Sequence, residues 1–384
     1  MNAKRRIFWI DADRFDRKGD KSTWLEMASA LNEYGFEPHI VTGFGRERYQ
    51  PENTDVIMDY RTALDIPFIF RSTLLLNILL FLIRKARRDD IIIMHPEALW
   101  IAPFLRLWGI RNIHLDIRTV PVEINSLKKR IDRILFWSIP MRLFAGSARG
   151  YSFITERLKV MVEAEFRKSF NNYSIWQSGV NTDKFHCGGE SSGQRKKGPF
   201  VVFYHGTISE KRGIANAIGA LAMLDGQHRK NIRLVLLGSG PGVSTLKQLV
   251  EKLQVTDLVT FKDPVPYDRV VGEIAQADCC ICPLPDRPEW NVSSPLKILE
   301  YMACGKPIIV TPILAHRDVL DGTNFVVWTA GDEPAHFRDA IEYAYEHRDT
   351  LNRAAEEAPA FVRQRYDWTV HARNLGNYLA TKFV

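Results

Sequence analysis

The stretch Ser293–Thr311, SSPLKILEYMACGKPIIVT, carries residue types suited to a phosphorylated ligand. It reads as a loop, a helix opening near Pro295, a tight turn at Gly305 and a buried strand. The start of such a helix offers unpaired backbone N–H groups and the positive end of a dipole, and a diphosphate suits both. Glu300 falls one to two turns into the helix, where its carboxylate can accept two hydrogen bonds from a ribose diol. A solvated Glu300 and a Gly305 that merely ends the helix fit the same letters. In the first half, NIHLDIRTVPVE (112–123) ends a strand with Asp116 and Arg118. Two residues apart on a strand, they point the same way. Asp116 can hold a hydroxyl and Arg118 an anionic group, with His114 beside them; an ion pair between neighbours is the other reading. The turn GSGPG (238–242) invites a dinucleotide reading, but the fingerprint G-x-G-x-x-G needs a third glycine where Val243 stands. A dehydrogenase is disfavoured. Three of the five cysteines, Cys279, Cys280 and Cys282, lie in the apolar run ADCCICPL. As a strand it places Cys280 and Cys282 on one face and Cys279 on the other, which suits small apolar packing and not a metal cluster.

The elements that must hold these residues alternate in type. RIFWIDA, FEPHIVTG, DIIIMH and NIHLDIR are strand-like runs separated by helix-length segments, and Gly35 and Gly109 read as helix stops. After a Gly/Ser/basic stretch the rhythm resumes with PFVVFYHG, NIRLVLLGSG, LVTFKDPV, ADCCICPL and KPIIVTP. The expected fold class is α/β, with two Rossmann-like domains built on parallel sheets. Residues 1–185 form the first domain, 186–199 the linker and 200–364 the second, with a final helix from about 365 to 384 packing back on the first.

A chain of 384 residues exceeds what one core usually organises. Apolar residues at 46% and charged ones at 25% suit a globular protein. The net charge of +7 is uneven: residues 1–182 hold 28 Lys and Arg against 21 Asp and Glu, leaving 24 against 24 for the rest. An anionic partner for the first half follows, a membrane surface or a pyrophosphate-linked acceptor. No zinc spacing or nucleic-acid recognition signature appears, so nucleic acid is not expected. The basic N-terminus is broken by Asp11 and does not read as a signal peptide. TLLLNILLFLI (73–83) is too short to span a bilayer. In SLKKRIDRILFWSIPMRLF (126–144), Leu127, Ile131, Ile134 and Leu135 share a helical face, with Lys128, Lys129, Arg130 and Arg133 mostly off it. This is an interfacial pattern, and the expected location is cytoplasmic and peripheral on the inner face of the cell membrane.

Several stretches together resemble the GT-B-fold retaining glycosyltransferases of family 4, in the family's order. The Ser293–Thr311 segment is similar to their nucleotide-sugar motif. SIWQSGVNTDKF (174–185) is similar to the end of their first domain, FYHGTISEKRGI (203–214) to their "GR…KG" loop and LVLLGSGPG (234–242) to their "GdGp" turn; 259–283 is similar to the run that follows. The resemblance implies two Rossmann-like domains facing each other across a cleft. It also implies donor contacts from Gly206, Thr207, Gly238, Gly240, Ser293, Ser294, Pro295, Leu296, Lys297 and Glu300, with Gly19 from the first loop of the first half. Two departures stand out. The family's first glutamate falls on Val292, with Glu289 and Asp286 the nearest substitutes, and the loop's arginine position holds Thr207. Arg212 stands where the family usually has lysine and can neutralise a leaving diphosphate bidentately; Lys211 is a second candidate.

The implied chemistry is front-side displacement with retention of configuration. The leaving phosphate takes the acceptor proton, Arg212 and the helix near Pro295 stabilise charge, Asp116 and Arg118 meet the acceptor, and neither metal nor cofactor is needed. The implied partners are a nucleotide-sugar, UDP-linked by preference, a glycan or lipid-linked acceptor in bacterial glycan synthesis, and the anionic membrane at 126–144. A small-molecule acceptor, or a binding scaffold without activity, are the alternatives.

Overall fold

A computed structural model describes residues 4–17, 21–44, 48, 55–66, 69–122, 124, 126–187 and 198–383. Its contacts divide the chain into two compact units, residues 1–178 with 368–384, and 179–367.

Unit 1 is a seven-stranded sheet: β1 (Arg5–Arg14), β2 (Phe36–Gly43), β3 (Ile57–Arg61), β4 (Ile91–Met94), β5 (Ile113–Ile117), β6 (Gly150–Phe153) and β7 (Tyr173–Ile175). All pair in parallel, in the order β3-β2-β1-β4-β5-β6-β7. The central strands are buried on both faces, as the unbroken apolar runs of β1 and β4 require. Helix α1 (Lys21–Glu33) packs against the C-terminal helix Trp368–Lys382, and α2 (Phe70–Lys85) against β1 and α3 (Ala102–Leu107). The segment 126–144, expected as one amphipathic helix, is three pieces: α4 (Leu127–Arg133), a π-helical turn at Ile134–Ser138, and α5 (Ile139–Phe144). The π turn shifts the helical phase, so Phe136 and Trp137 turn inward while Leu127, Ile134 and Leu135 stay exposed. Helix α6 (Glu156–Phe166) leads to β7.

Unit 2 is a six-stranded parallel sheet: β8 (Phe200–His205), β9 (Ile232–Leu237), β10 (Val259–Lys262), β11 (Cys279–Cys282), β12 (Ile308–Val310) and β13 (Val326–Trp328), in the order β10-β9-β8-β11-β12-β13. Its two faces carry separate core clusters. Cys280 and Cys282 pack in one and Cys279 in the other, the alternation read from the sequence. The edge strands β3 and β13 have no long apolar run, because an edge needs less burial.

The passage between units differs from the expected linker. Val180 and Phe185 are buried in the core of unit 2, the Val180 N–H donates to the Tyr366 carbonyl at 2.9 Å, and the Thr182 hydroxyl donates to Asp367 at 2.7 Å. These contacts put the crossings at 178/179 and 367/368. The Gly/Ser-rich segment 186–199 falls inside the range of unit 2, and its residues 188–197 lie outside the described ones.

Two loops at the ends of β8 and β9 meet backbone to backbone. Gly238 (φ 143°) and Gly240 (φ 153°) sit where a Cβ would come within 2.0 Å of the Gly206 carbonyl oxygen and 2.2 Å of that of Ile208. The Ile208 N–H donates to the Ser239 carbonyl at 2.8 Å. Only glycine permits this approach, so Gly240→Ala should cost about 2–4 kcal/mol. Thermal denaturation should show a melting temperature lower by more than roughly 5 °C for a unit of this size. An unchanged melting temperature would show that the two loops are free to separate.

Candidate active site

In unit 2 the strand order reverses between β8 and β11, and the C-terminal ends of strands beside such a reversal are where open α/β sheets take ligands. β8 ends at His205. Its ring is gripped from the helix Leu296–Ala303: Nε2 lies 2.8 Å from Glu300 Oε2 and Nδ1 lies 3.1 Å from the Tyr301 hydroxyl, which also accepts the His205 N–H at 3.2 Å. Glu300 is buried. It is therefore not a solvated helix residue, and one of its oxygens faces the end of β8.

Gly206 follows, and the Lys297 side chain passes directly over it; a Cβ at Gly206 would stand 3.1 Å from Lys297 Cε and 3.2 Å from Nζ. The Lys297 ammonium lies 5.4 Å from the Tyr204 ring centre. Arg212 closes a short 3-10 turn, Glu210–Arg212, and its guanidinium stacks 5.0 Å from the Trp290 ring centre. Its Nε is buried and makes no hydrogen bond among the described residues. Burial, and next the charge of Arg212, lower the Lys297 ammonium from its ordinary value, while Glu300 acts in the opposite sense. The helix Leu296–Ala303 opens at Pro295 with no side chain capping it. Two cations and a bare helix start thus converge at one strand end, an arrangement that neutralises a diphosphate.

The other expected donor residues divide. The Thr207 side chain is exposed, and its carbonyl accepts the Tyr204 hydroxyl at 2.8 Å. The Ser293 hydroxyl is turned back onto the Trp290 carbonyl at 2.7 Å, and the Ser294 carbonyl accepts the Leu296 N–H at 3.0 Å. Val292 is buried. Of its proposed substitutes, Asp286 is exposed and accepts from Asn291 at 2.6 Å, and Glu289 is half-buried. Lys211 is half-buried next to Arg212. Gly238 and Gly240 serve the loop contact described above. Gly19 lies outside the described residues. The sequence reading overlooked His205; its signal was a histidine ending a buried strand directly before glycine.

In unit 1 the order reverses between β1 and β4, and β4 runs into His95. His95 packs against Trp24 with ring centres 4.8 Å apart, and its Nε2 is 3.9 Å from Asp116 Oδ2. Asp116 is fully buried. Its Oδ1 accepts from the Ser152 hydroxyl at 2.6 Å and from Trp176 Nε1 at 3.0 Å, whereas Oδ2 makes no hydrogen bond among the described residues. Arg118 lies flat over the Trp176 ring, 3.3 Å from its centre, and donates to the Trp176 carbonyl at 2.7 Å. His114, expected on the acceptor side, is instead a core residue, 0% exposed, with its ring between Tyr378 and Phe383. The Ser152 hydroxyl gives its one proton to Asp116, so His114 Nε2, 2.7 Å away, must donate to Ser152. It reaches Asp116 only through that serine. His95 was not foreseen as part of this group.

Residues 190–361 match the family model described as glycosyl transferases group 1. The second half of this chain is therefore similar to the glycosyl transferases group 1 domains. The D-inositol 3-phosphate glycosyltransferase of Corynebacterium jeikeium is 25% identical over 210 residues, 51% of this chain and 49% of that protein, so the chain spans about half the length of the curated relatives it matches. Among solved structures, sucrose-phosphate synthase from Thermosynechococcus elongatus superposes with a TM-score of 0.80 at 15% identity, covering 99% of each chain. The Anabaena protein HepE, solved with UDP-glucose, superposes with a TM-score of 0.73 at 14% identity, covering 98% of this chain and 99% of that one. The two parallel α/β sheets are those of the GT-B fold.

The buried polar chain of unit 1 gives a pH signature. Burial pushes the Asp116 carboxyl up to about 6, against the lowering effects of Arg118, Ser152 and Trp176, and burial pushes His114 down to about 3. Between about pH 4 and 6 the folded state holds the extra proton on Asp116, so this residue costs stability as pH rises. His114 is protonated more readily in the unfolded chain between about 3 and 6.5, so it adds stability over the same rise. The two oppose each other. In Asp116→Asn only the histidine effect remains, and unfolding measured in urea should show the variant gaining about 2–3 kcal/mol relative to the wild type from pH 4 to pH 7. A difference that does not vary with pH would mean that Asp116 ionises normally.

Proposed function

We propose that this protein is a retaining glycosyltransferase that moves a sugar from a nucleotide-sugar, a UDP-sugar by preference, to a lipid-linked glycan acceptor at a membrane surface. The observation that carries the donor half is the convergence of Arg212, Lys297 and the uncapped 296–303 helix at the reversal point of unit 2. Where the family's loop has arginine this chain has Thr207, and Lys297 over Gly206 supplies the second cation from the helix side. As the bond to the sugar breaks, negative charge grows on the departing diphosphate, and two cations already held in place stabilise it without reorganising. The clamp of Glu300 and Tyr301 on His205 fixes the surface on which the nucleoside rests. The reaction needs no metal in this reading, because Arg212 and Lys297 provide the neutralising charge.

The acceptor half rests on unit 1, with its basic excess, its exposed apolar residues, and the Asp116, His95 and Arg118 group at its strand ends. No helix among the described residues is long and apolar enough to cross a membrane; the attachment we propose is peripheral.

Arg212→Ala should lower turnover by at least roughly 100-fold, and Lys297→Ala should weaken UDP binding by roughly 10-fold or more. Glu300→Gln should weaken UDP binding by roughly 10- to 150-fold. Calorimetric titration with UDP and donor hydrolysis over a panel of nucleotide-sugars measure these effects. Unchanged UDP affinity in both Lys297→Ala and Glu300→Gln would remove the donor site from this strand end. UDP binding with no transfer or hydrolysis of any donor would leave a nucleotide-binding scaffold.

A further inference from the structure

Among the described residues, seventeen large apolar side chains are exposed, and fourteen of them belong to unit 1. The most exposed is Leu107 at 84%, followed closely in the chain by Trp108 at 62%, and Phe104 lies one turn earlier on the same helix. Leu143, near the end of α5, is 65% exposed. Topology brings these residues to one edge. Helix α3 connects parallel neighbours β4 and β5, and α5 leads into β6, so both helices end at the N-terminal edge of the sheet. That is the edge opposite the strand ends that carry His95, Asp116 and Arg118.

The same edge holds an open cavity of about 810 Å³ with five cations in its wall, Lys4, Arg5, Arg6, Arg87 and Arg88. Three carboxylates also line it, and two of them are occupied. Asp90 takes Arg6 at 2.6 Å and the Arg87 N–H at 2.6 Å, and Glu37 lies 3.0 Å from the His39 ring. Arg5 is pinned in place by the Phe383 and Asp89 carbonyls, at 2.5 and 2.7 Å. Arg87 and Arg88 remain exposed. The Arg88 guanidinium also flanks the end of α3: a Cβ on Gly109, next to Trp108, would stand 3.5 Å from its Nε. The cavity and the apolar ridge are therefore parts of one surface.

We propose that this surface docks on an anionic lipid leaflet, with the phosphate of a lipid headgroup held in the Arg5, Arg87 and Arg88 cavity while Leu107 and Trp108 enter the acyl boundary beside it. A soluble anion accounts for the cations but not for an exposed tryptophan and leucine ridge; a leaflet accounts for both, since it offers negative charge at the surface and hydrocarbon a few ångströms below. The proposal rests on the membrane reading of the previous subsection and moves its centre from 126–144 to the α3 edge.

The test is flotation of the full chain with vesicles of phosphatidylglycerol in phosphatidylcholine, and with phosphatidylcholine alone. The wild type should bind the acidic vesicles and detach as salt is raised. Each cation near an acidic leaflet is worth about fivefold in partitioning. Arg87→Glu with Arg88→Glu should therefore weaken binding at least 25-fold or so, and Leu107→Ser with Trp108→Ser at least roughly tenfold. Acyl chains brominated near the headgroup should quench fluorescence in the wild type and less in Trp108→Phe. Donor hydrolysis should be unchanged in all these variants, since none touches the nucleotide site. If the α3-edge variants bind like the wild type while Ile134→Ser with Leu135→Ser releases the protein, the docking surface proposed here is wrong and the membrane reading stands. Failure of the wild type to bind acidic vesicles overturns both, and binding of glycerol phosphate in the cavity without vesicle binding overturns the lipid assignment.

Discussion

Arg212 and Lys297 are two like charges held half-buried within each other's field, and much of unit 2 is arranged to keep them there. Left to itself such a pair would separate or draw in a carboxylate. Here Arg212 is fixed by its 3-10 turn and by the Trp290 ring, and Lys297 by the space above Gly206 and the face of Tyr204. The loop carrying Arg212 is in turn anchored through the glycine contacts to the end of β9. An anion placed beside both would relieve that repulsion, which is the physical basis of the diphosphate site proposed above.

The polar chain of unit 1 works under a different constraint. Asp116 has one oxygen satisfied by Ser152 and Trp176 and the other unpaired among the described residues and close to His95. A carboxyl raised towards neutrality by burial can accept or release a proton under mild conditions, whereas one paired with its neighbour Arg118 would not. Arg118 instead lies on Trp176, so its charge lowers the Asp116 carboxyl without cancelling the effect of burial.

The two ends of the unit 1 sheet are unlike in composition. The C-terminal ends of its strands carry the buried titratable group; the N-terminal edge carries exposed arginines and exposed apolar side chains. A parallel sheet separates these ends by the length of its strands, so the proposed docking surface and the Asp116 group lie apart. Unit 2, with three exposed large apolar side chains among its described residues, has no comparable edge.

The alternation of apolar strand runs and helical segments, the opposite facing of Cys279 and Cys280, and the start of the 296–303 helix at Pro295 were legible in the letters because they depend on local periodicity. So was the matching order of motifs from 174 to 312. Other features were not legible, because they depend on which distant segments meet. The Lys297 position over Gly206, the Glu300 grip on His205 and the depth of His114 come from side chains that approach across the sheet. The π turn at Ile134–Ser138 was not legible either, because it is invisible to a 3.6-residue period. The unit boundary moved from the Gly/Ser stretch to 178/179 because Val180 and Phe185 find their packing partners in unit 2. Composition marked the Gly/Ser-rich segment as a linker, but the boundary is set by where apolar residues are buried, and only the tertiary structure decides that.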